Sequence, residues 1–161
     1  MEGYLGRPDH AGHWRTGDLG SIDSDGFVRV YGRNDNLIVL TNGRNLSPEW
    51  VEAAFLAMPG IERAVVLGHG RPFSMVVLWP SAAERRRLIG LNDAGRRAFL
   101  GLACATLPSY ARPAAMLVAE TPATDGRLFT ANGRPRREAI TEAFEAAIAA
   151  IYDQARGEDP R

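Results

Sequence analysis

The sequence predicts an α+β fold in which a small mixed sheet packs with helices and a β-hairpin comes first. Three observations carry that expectation. Two apolar runs, Ala64-Val65-Val66-Leu67 and Met75-Val76-Val77-Leu78-Trp79, flank the turn-forming His69-Gly70-Arg71-Pro72 and read as paired strands. Ser47-Pro48-Glu49 reads as a helix start, with Ser as the N-cap, Pro at the first helical position and an acid near the positive end of the dipole. Asp25-Gly26, set between β-rich segments at residues 17–22 and 27–31, reads as a hairpin turn.

Taken in order, the hairpin comes first, and a two-residue turn at Asp25-Gly26 puts Asp18 opposite Arg33. Two strands alone are marginally stable, so the hairpin must pack on something. Arg33-Asn34-Asp35-Asn36 breaks the pattern like a linker, and Leu37-Ile38-Val39-Leu40 follows as a strand closed by Thr41-Asn42-Gly43. The helix from Ser47 stops at Pro59-Gly60, and the two central strands follow. A further helix runs from about Asn92 to Leu107 and ends before Pro108; a strand covers residues 115–119; a loop over 121–133 leads to a last helix from Pro135. That helix sets Ile140, Phe144, Ile148 and Ile151 on one face, the spacing of a core stripe. After the linker the order is βαββαβα, and the chain divides into residues 1–34, 35–154 and a disordered tail at 155–161.

At 161 residues and 17.5 kDa there is room for one ordinary domain plus a small piece of another. Hydrophobic residues at 45% and charged residues at 24% describe a chain able to bury a core. A formal net charge of zero and a pI near 6.8 give no overall field to attract nucleic acid or an anionic membrane. The lone Cys104, in an apolar stretch, can form no internal disulfide and reads as a small core side chain suited to a reducing cytoplasm. No apolar run approaches the ~20 residues of a membrane span, and Met1-Glu2-Gly3-Tyr4 has no signal pattern, so a cytoplasmic location is expected. His10, His13 and His69 lack metal-ligand spacing, and no metal site is expected. All 19 basic residues are Arg. Arg85-Arg86-Arg87 and Arg96-Arg97 therefore read as solvated helix faces.

Asp18 and Arg33 face each other across the expected hairpin. A carboxylate accepting two hydroxyl protons beside a guanidinium fork would clamp a vicinal diol such as a ribose. A cross-strand salt bridge is the alternative.

Five segments, in order, resemble the adenylate-forming superfamily of acyl-CoA synthetases, luciferases and peptide-synthetase adenylation domains. They are Trp14-Arg15-Thr16-Gly17-Asp18-Leu19-Gly20, Gly26 to Arg33, Asn42 to Glu52, Leu107-Pro108-Ser109-Tyr110-Ala111-Arg112-Pro113, and Thr130-Ala131-Asn132-Gly133-Arg134. The resemblance covers nearly the whole chain, and Leu40-Thr41-Asn42-Gly43 fits the long-chain acyl-CoA synthetase-like branch. It implies the C-terminal part of an ATP-dependent acyl-CoA ligase of fatty acid metabolism, which forms an acyl adenylate and then a thioester. Residues 1–34 would be the tail of the N-terminal adenylation domain, and residues 35–154 the C-terminal lid domain.

By position, the resemblance assigns the ribose hydroxyls of ATP to Asp18, with Arg33 helping, and a rotation hinge to Asp35. Without the resemblance, residues 34–36 read as an ordinary Asx turn. Gly43 and Arg44 would border the channel for CoA or carrier-bound pantetheine. Arg134 stands where the family has a catalytic Lys that bridges the substrate carboxylate and the α-phosphate. Either Arg134 takes over that role in a chain without Lys, or adenylation is impaired, since Arg lacks the compact ammonium. The phosphate-binding loop, the acyl pocket and most of the Mg2+ binding would lie on the N-terminal domain. The implied partners are that domain, a small-molecule carboxylate and, as an acceptor, an acyl carrier protein. The alternative is a non-catalytic binding or regulatory module that keeps the lid-domain fold.

Overall fold

The computed structural model describes residues 16–33 and 36–157. The hairpin is formed by β1 (Asp18–Ile22) and β2 (Val28–Arg33). The turn is longer than the two residues expected: Ile22 pairs with Val28, and residues 23–27 form the loop. The Asp23 carboxylate organises it by accepting from the backbone N–H groups of Asp25 and Phe27, at 3.1 and 2.9 Å. The longer loop shifts the register by one residue. A bulge between Leu19 and Gly20 shifts it back, so Asp18 still pairs with Arg33. At the bulge a Cβ on Gly20 would sit 2.6 Å from the Arg29 carbonyl oxygen, which explains glycine there. Outside the loop the hairpin leaves Val28 and Val30 exposed at 66% and 64%.

A second two-stranded sheet joins β3 (Ile38–Val39) to β4 (Asn45–Leu46), with Ile38 opposite Leu46. Two residues are too few to show a period, and β4 was not legible in the sequence. Backbone bonds tie this sheet to the turn at residues 68–71: Gly70 N–H donates to the Val39 carbonyl at 2.8 Å, and Thr41 N–H to that of Arg71 at 3.0 Å. Helix α1 (Pro48–Leu56) follows. Ser47 holds the N-cap position, but its hydroxyl lies 3.3 Å from the Glu49 carboxylate and caps no backbone N–H.

The main sheet has the order β5-β6-β7, from β5 (Ile61–Leu67), β6 (Met75–Pro80) and β7 (Ala115–Val118). β5 and β6 run antiparallel and β6 and β7 parallel, so the sheet is mixed. The crossover to β7 contains α2 (Ala82–Ile89) and α3 (Asp93–Ala103). Helix α2 was absent from the expected order, although its arginines were expected on a helix face. Of its residues only Leu88 is buried, so it has no apolar stripe to read. The last helix divides at Phe144 into α4 (Arg137–Ala143) and α5 (Glu145–Gly157), and helical bonding continues from Phe144 N–H to Ile140 and from Ile148 N–H to Phe144. Helix α5 runs three residues past the expected boundary at 154; residues 158–161 lie outside the described residues.

Both faces of the sheet are covered, which is why its strands read as unbroken apolar runs. Val66, Val76, Leu78 and Met116 point into one core with α1, α2 and α3. Val65, Leu67, Met75, Val77 and Trp79 point into the other with α4 and α5. Ile140 and Ile148 are buried in this second core, and Phe144 and Ile151 are partly buried against it, so the expected stripe is the helix's packing face. Cys104 is fully buried in the first.

Candidate functional site

Arg134 closes a tight turn. Thr130 N–H donates to the Arg134 carbonyl at 2.9 Å, Gly133 N–H to that of Thr130 at 2.8 Å, and Arg134 N–H to the Thr130 hydroxyl at 3.0 Å. Gly133 has a φ of +75°, and a Cβ there would come within 3.1 Å of the Arg63 guanidinium. A bridge between Phe129 and Pro135 extends the turn into a short ladder, anchored in the second core by Leu128 and Phe129. Backbone fixation therefore extends on both sides of Arg134, while its side chain is exposed and makes no ion pair among the described residues.

Arg134 lines a cleft of about 930 Å³ together with Arg33, Asn36, Glu49, Glu52 and the first residues of α4. Arg33 and Asp18 form a salt bridge, with Nη1 and Oδ1 3.5 Å apart and the Asp18 side chain 37% exposed. An ion pair this open to solvent contributes at most about 1 kcal/mol and leaves carboxylate lone pairs accessible. Of the expected site residues the fold thus brings Arg33 and Arg134 to one cleft, with Asp18 bound to Arg33.

Gly43 and Arg44 lie elsewhere, in the loop between β3 and β4. That loop is closed by Gly43 N–H to the Leu40 carbonyl and by Arg44 N–H to the Asn42 side chain, at 2.9 and 3.1 Å. Gly43 adopts a φ of +77°, and a Cβ there would meet nothing within 4 Å, so the backbone conformation and not crowding calls for glycine. The Arg44 guanidinium sits over the Tyr110 ring at 5.6 Å, within cation–π range. Asp35 lies outside the described residues.

The sequence reading missed a polar network at the base of the cleft. Arg137 donates to both Glu52 carboxylate oxygens, at 2.6 and 3.2 Å, and to the Val66 carbonyl at 3.3 Å. Glu52 also accepts from Val66 N–H at 2.8 Å, and Glu49 lies 3.9 Å from Arg137. Asn36 Nδ2 donates to Glu49 at 2.6 Å. One signal was available: Glu52 falls on the buried face of α1 with Pro48, Val51 and Phe55, and an acid on a buried face needs a partner. Arg137 gave none, as one Arg among many.

Residues 35–156 match the family model for the AMP-binding enzyme C-terminal domain. The long-chain-fatty-acid–CoA ligase FadD15 of Mycobacterium tuberculosis is 40% identical over 75 residues, covering 45% of this chain and 12% of the relative. The 2-succinylbenzoate–CoA ligase of Bacillus velezensis is 42% identical over 78 residues, covering 45% of this chain and 16% of the relative. The chain thus spans less than a fifth of the length of these curated relatives. Among solved structures, the A domain of carboxylic acid reductase from Segniliparus rugosus, in complex with AMP and a co-purified carboxylic acid, superposes with a TM-score of 0.72 at 21% identity, over 91% of this chain and 24% of its own. The Mycobacterium tuberculosis fatty acyl CoA synthetase superposes with a TM-score of 0.58 at 20% identity, over 86% of this chain and 25% of its own. These structures share the fold, and the family match covers most of the chain: it belongs to the AMP-binding enzyme C-terminal domain family.

Proposed function

We propose that the chain is the C-terminal part of an ATP-dependent acyl-CoA ligase and works against an N-terminal adenylation domain. The observation that carries this reading is the cleft shared by Arg33, bound to Asp18, and an Arg134 that stands on a braced turn and makes no ion pair among the described residues. In the first half-reaction a carboxylate oxygen of the acyl substrate attacks the α-phosphorus of ATP and pyrophosphate leaves. Arg134 would offset the negative charge that builds between carboxylate and α-phosphate, while Asp18 and Arg33 hold the ribose hydroxyls. In the second, a thiol of CoA or of carrier-bound pantetheine displaces AMP from the acyl carbon, with Gly43 and Arg44 beside the channel and Asp35 as the hinge between the two arrangements.

Among the described residues no three His, Cys, Asp or Glu side chains are grouped to hold a metal. The family resemblance assigns Mg2+ mainly to the N-terminal domain. The exposed Ile22, Phe27, Val28 and Val30 of the hairpin support a partner surface there, since a cluster of exposed apolar side chains marks an interaction site. Among the described residues no helix is long and apolar enough to cross a membrane.

The test is pyrophosphate release from ATP, CoA and a panel of fatty and aryl acids, using the enzyme complete with its N-terminal domain. Arg134→Ala should lower it by about 100-fold, the usual scale for losing one charge-stabilising donor. No loss would favour the second reading, a non-catalytic module, which rests on Arg standing at the family's Lys position.

A further inference from the structure

The cleft has two walls. Arg134 and the start of α4 make one, and Arg33, Asn36 and α1 make the other. The ion pair between Arg137 and Glu52 spans them. Arg137 lies three positions after Arg134, and Asn36, which reaches Arg137 through Glu49, lies three positions after Arg33. Glu52 is only 7% exposed and is held by the Val66 N–H, so the anchor on the α1 side is fixed by the sheet itself. A two-pronged guanidinium on a fixed carboxylate defines angle as well as distance.

We propose that Arg137 is a positioning residue: through Glu52 it sets the spacing of the cleft walls, and thereby where Arg134 stands relative to Arg33. This rests on the reading of Arg134 given above. Arg137 is not itself placed against substrate. Its loss should affect the half-reaction that needs Arg134 and spare the one that does not.

The experiment uses the complete enzyme and two assays, ATP–pyrophosphate exchange for adenylation and thioester formation from supplied acyl adenylate and CoA. Arg137→Met should lower the first by about tenfold or more through misplacement of Arg134 and change the second by less than about twofold. Arg137→Lys, which restores the charge but not the fork, should recover part of the loss. Should Arg137→Met unfold, as judged by circular dichroism, Glu52→Gln keeps an acceptor for Val66 and weakens the bridge, and the same selective loss is expected. Equal loss in both assays, or no loss in a folded Glu52→Gln variant, overturns the proposal. Arg134→Ala run alongside separates the two ideas: if it leaves adenylation intact the ligase reading fails, and if it abolishes adenylation while Arg137→Met does not, only the positioning role fails.

Discussion

Glu52 and Arg137 together occupy the open edge of β5 at Val66. The carboxylate accepts from the Val66 N–H at 2.8 Å, and the guanidinium donates to the Val66 carbonyl at 3.3 Å, as the backbone of a neighbouring strand would. Because β5 ends the sheet order, these groups have no strand to pair with among the described residues. A salt bridge thus closes one rung of a sheet edge.

Removing one side of that bridge should cost more than removing both. Glu52→Leu leaves a half-buried guanidinium and an unpaired Val66 N–H, and urea unfolding should show a loss of about 3 kcal/mol or more. The Glu52→Leu/Arg137→Met pair should regain part of it, since no unpaired charge remains. Full recovery is not expected, because the Val66 backbone groups still lack partners. Equal losses in the single and double variants would refute the account.

The hairpin register gives a second prediction. Gly20→Ala drives a Cβ into the Arg29 carbonyl and should remove the bulge that restores Asp18 to its place opposite Arg33. In the complete enzyme the KM for ATP should rise by about tenfold, the scale of one or two lost hydrogen bonds. Thermal unfolding of residues 36–157 should barely change. An unaltered KM for ATP would detach the hairpin from nucleotide binding.

Alkaline pH should unfold the protein through two buried groups. Burial pushes the Cys104 thiol from 9.0 up to about 11, against a smaller opposing effect of Arg112. Burial likewise pushes the Tyr152 hydroxyl from 10.0 up to about 12, against Arg71. The native state holds these protons over a range in which the unfolded chain has released them, so stability is full below pH 9 and falls as pH rises toward 12. Cys104→Ala should flatten the lower part of that fall in a series of urea melts. At neutral pH the thiol should react with a disulfide reagent only after denaturant is added. Immediate labelling of the native protein would contradict its burial.

Trp79 is the centre of the second core. Its ring meets Phe129 and Phe144 edge-on, with centroids 5.0 and 5.9 Å away, and its indole N–H lies 3.2 Å from the Thr121 hydroxyl oxygen. Trp79→Ala should cost about 3–5 kcal/mol in urea unfolding, and Trp79→Phe much less. Because Phe129 anchors the Arg134 turn, the alanine variant should also slow pyrophosphate release at temperatures where it remains folded.

The longest buried apolar runs were legible in the sequence, and the short β4 and mostly exposed α2 of the C-terminal domain were not. The runs at residues 64–67 and 75–79 are apolar because both faces of their sheet are covered. Helix α2 buries only Leu88, so no period marks it. The facing of Asp18 and Arg33 was legible, although by compensation: the real loop is longer than an Asp-Gly turn, and the Gly20 bulge cancels the shift. The partners Glu52 and Arg137 stand 85 positions apart, and nothing local connects them. In a chain whose only basic residue is Arg, the one that matters carries no mark.

Residues 75–79 on β6 are all buried, with alternate side chains serving the two cores and both backbone edges paired to β5 and β7. Neither core can open while that strand stays in place, and neither survives its departure. Its amides therefore have no local route to solvent and exchange their hydrogens only when the whole unit comes apart. The β3–β4 loop and the hairpin tip, with exposed backbone and few buried contacts, can fluctuate without spending that cooperative stability. The slowest part of the molecule and its most adaptable parts are thus held in one short chain, with the β3–β4 sheet tied to the turn between β5 and β6 by backbone bonds from residue 70 to 39 and from 41 to 71.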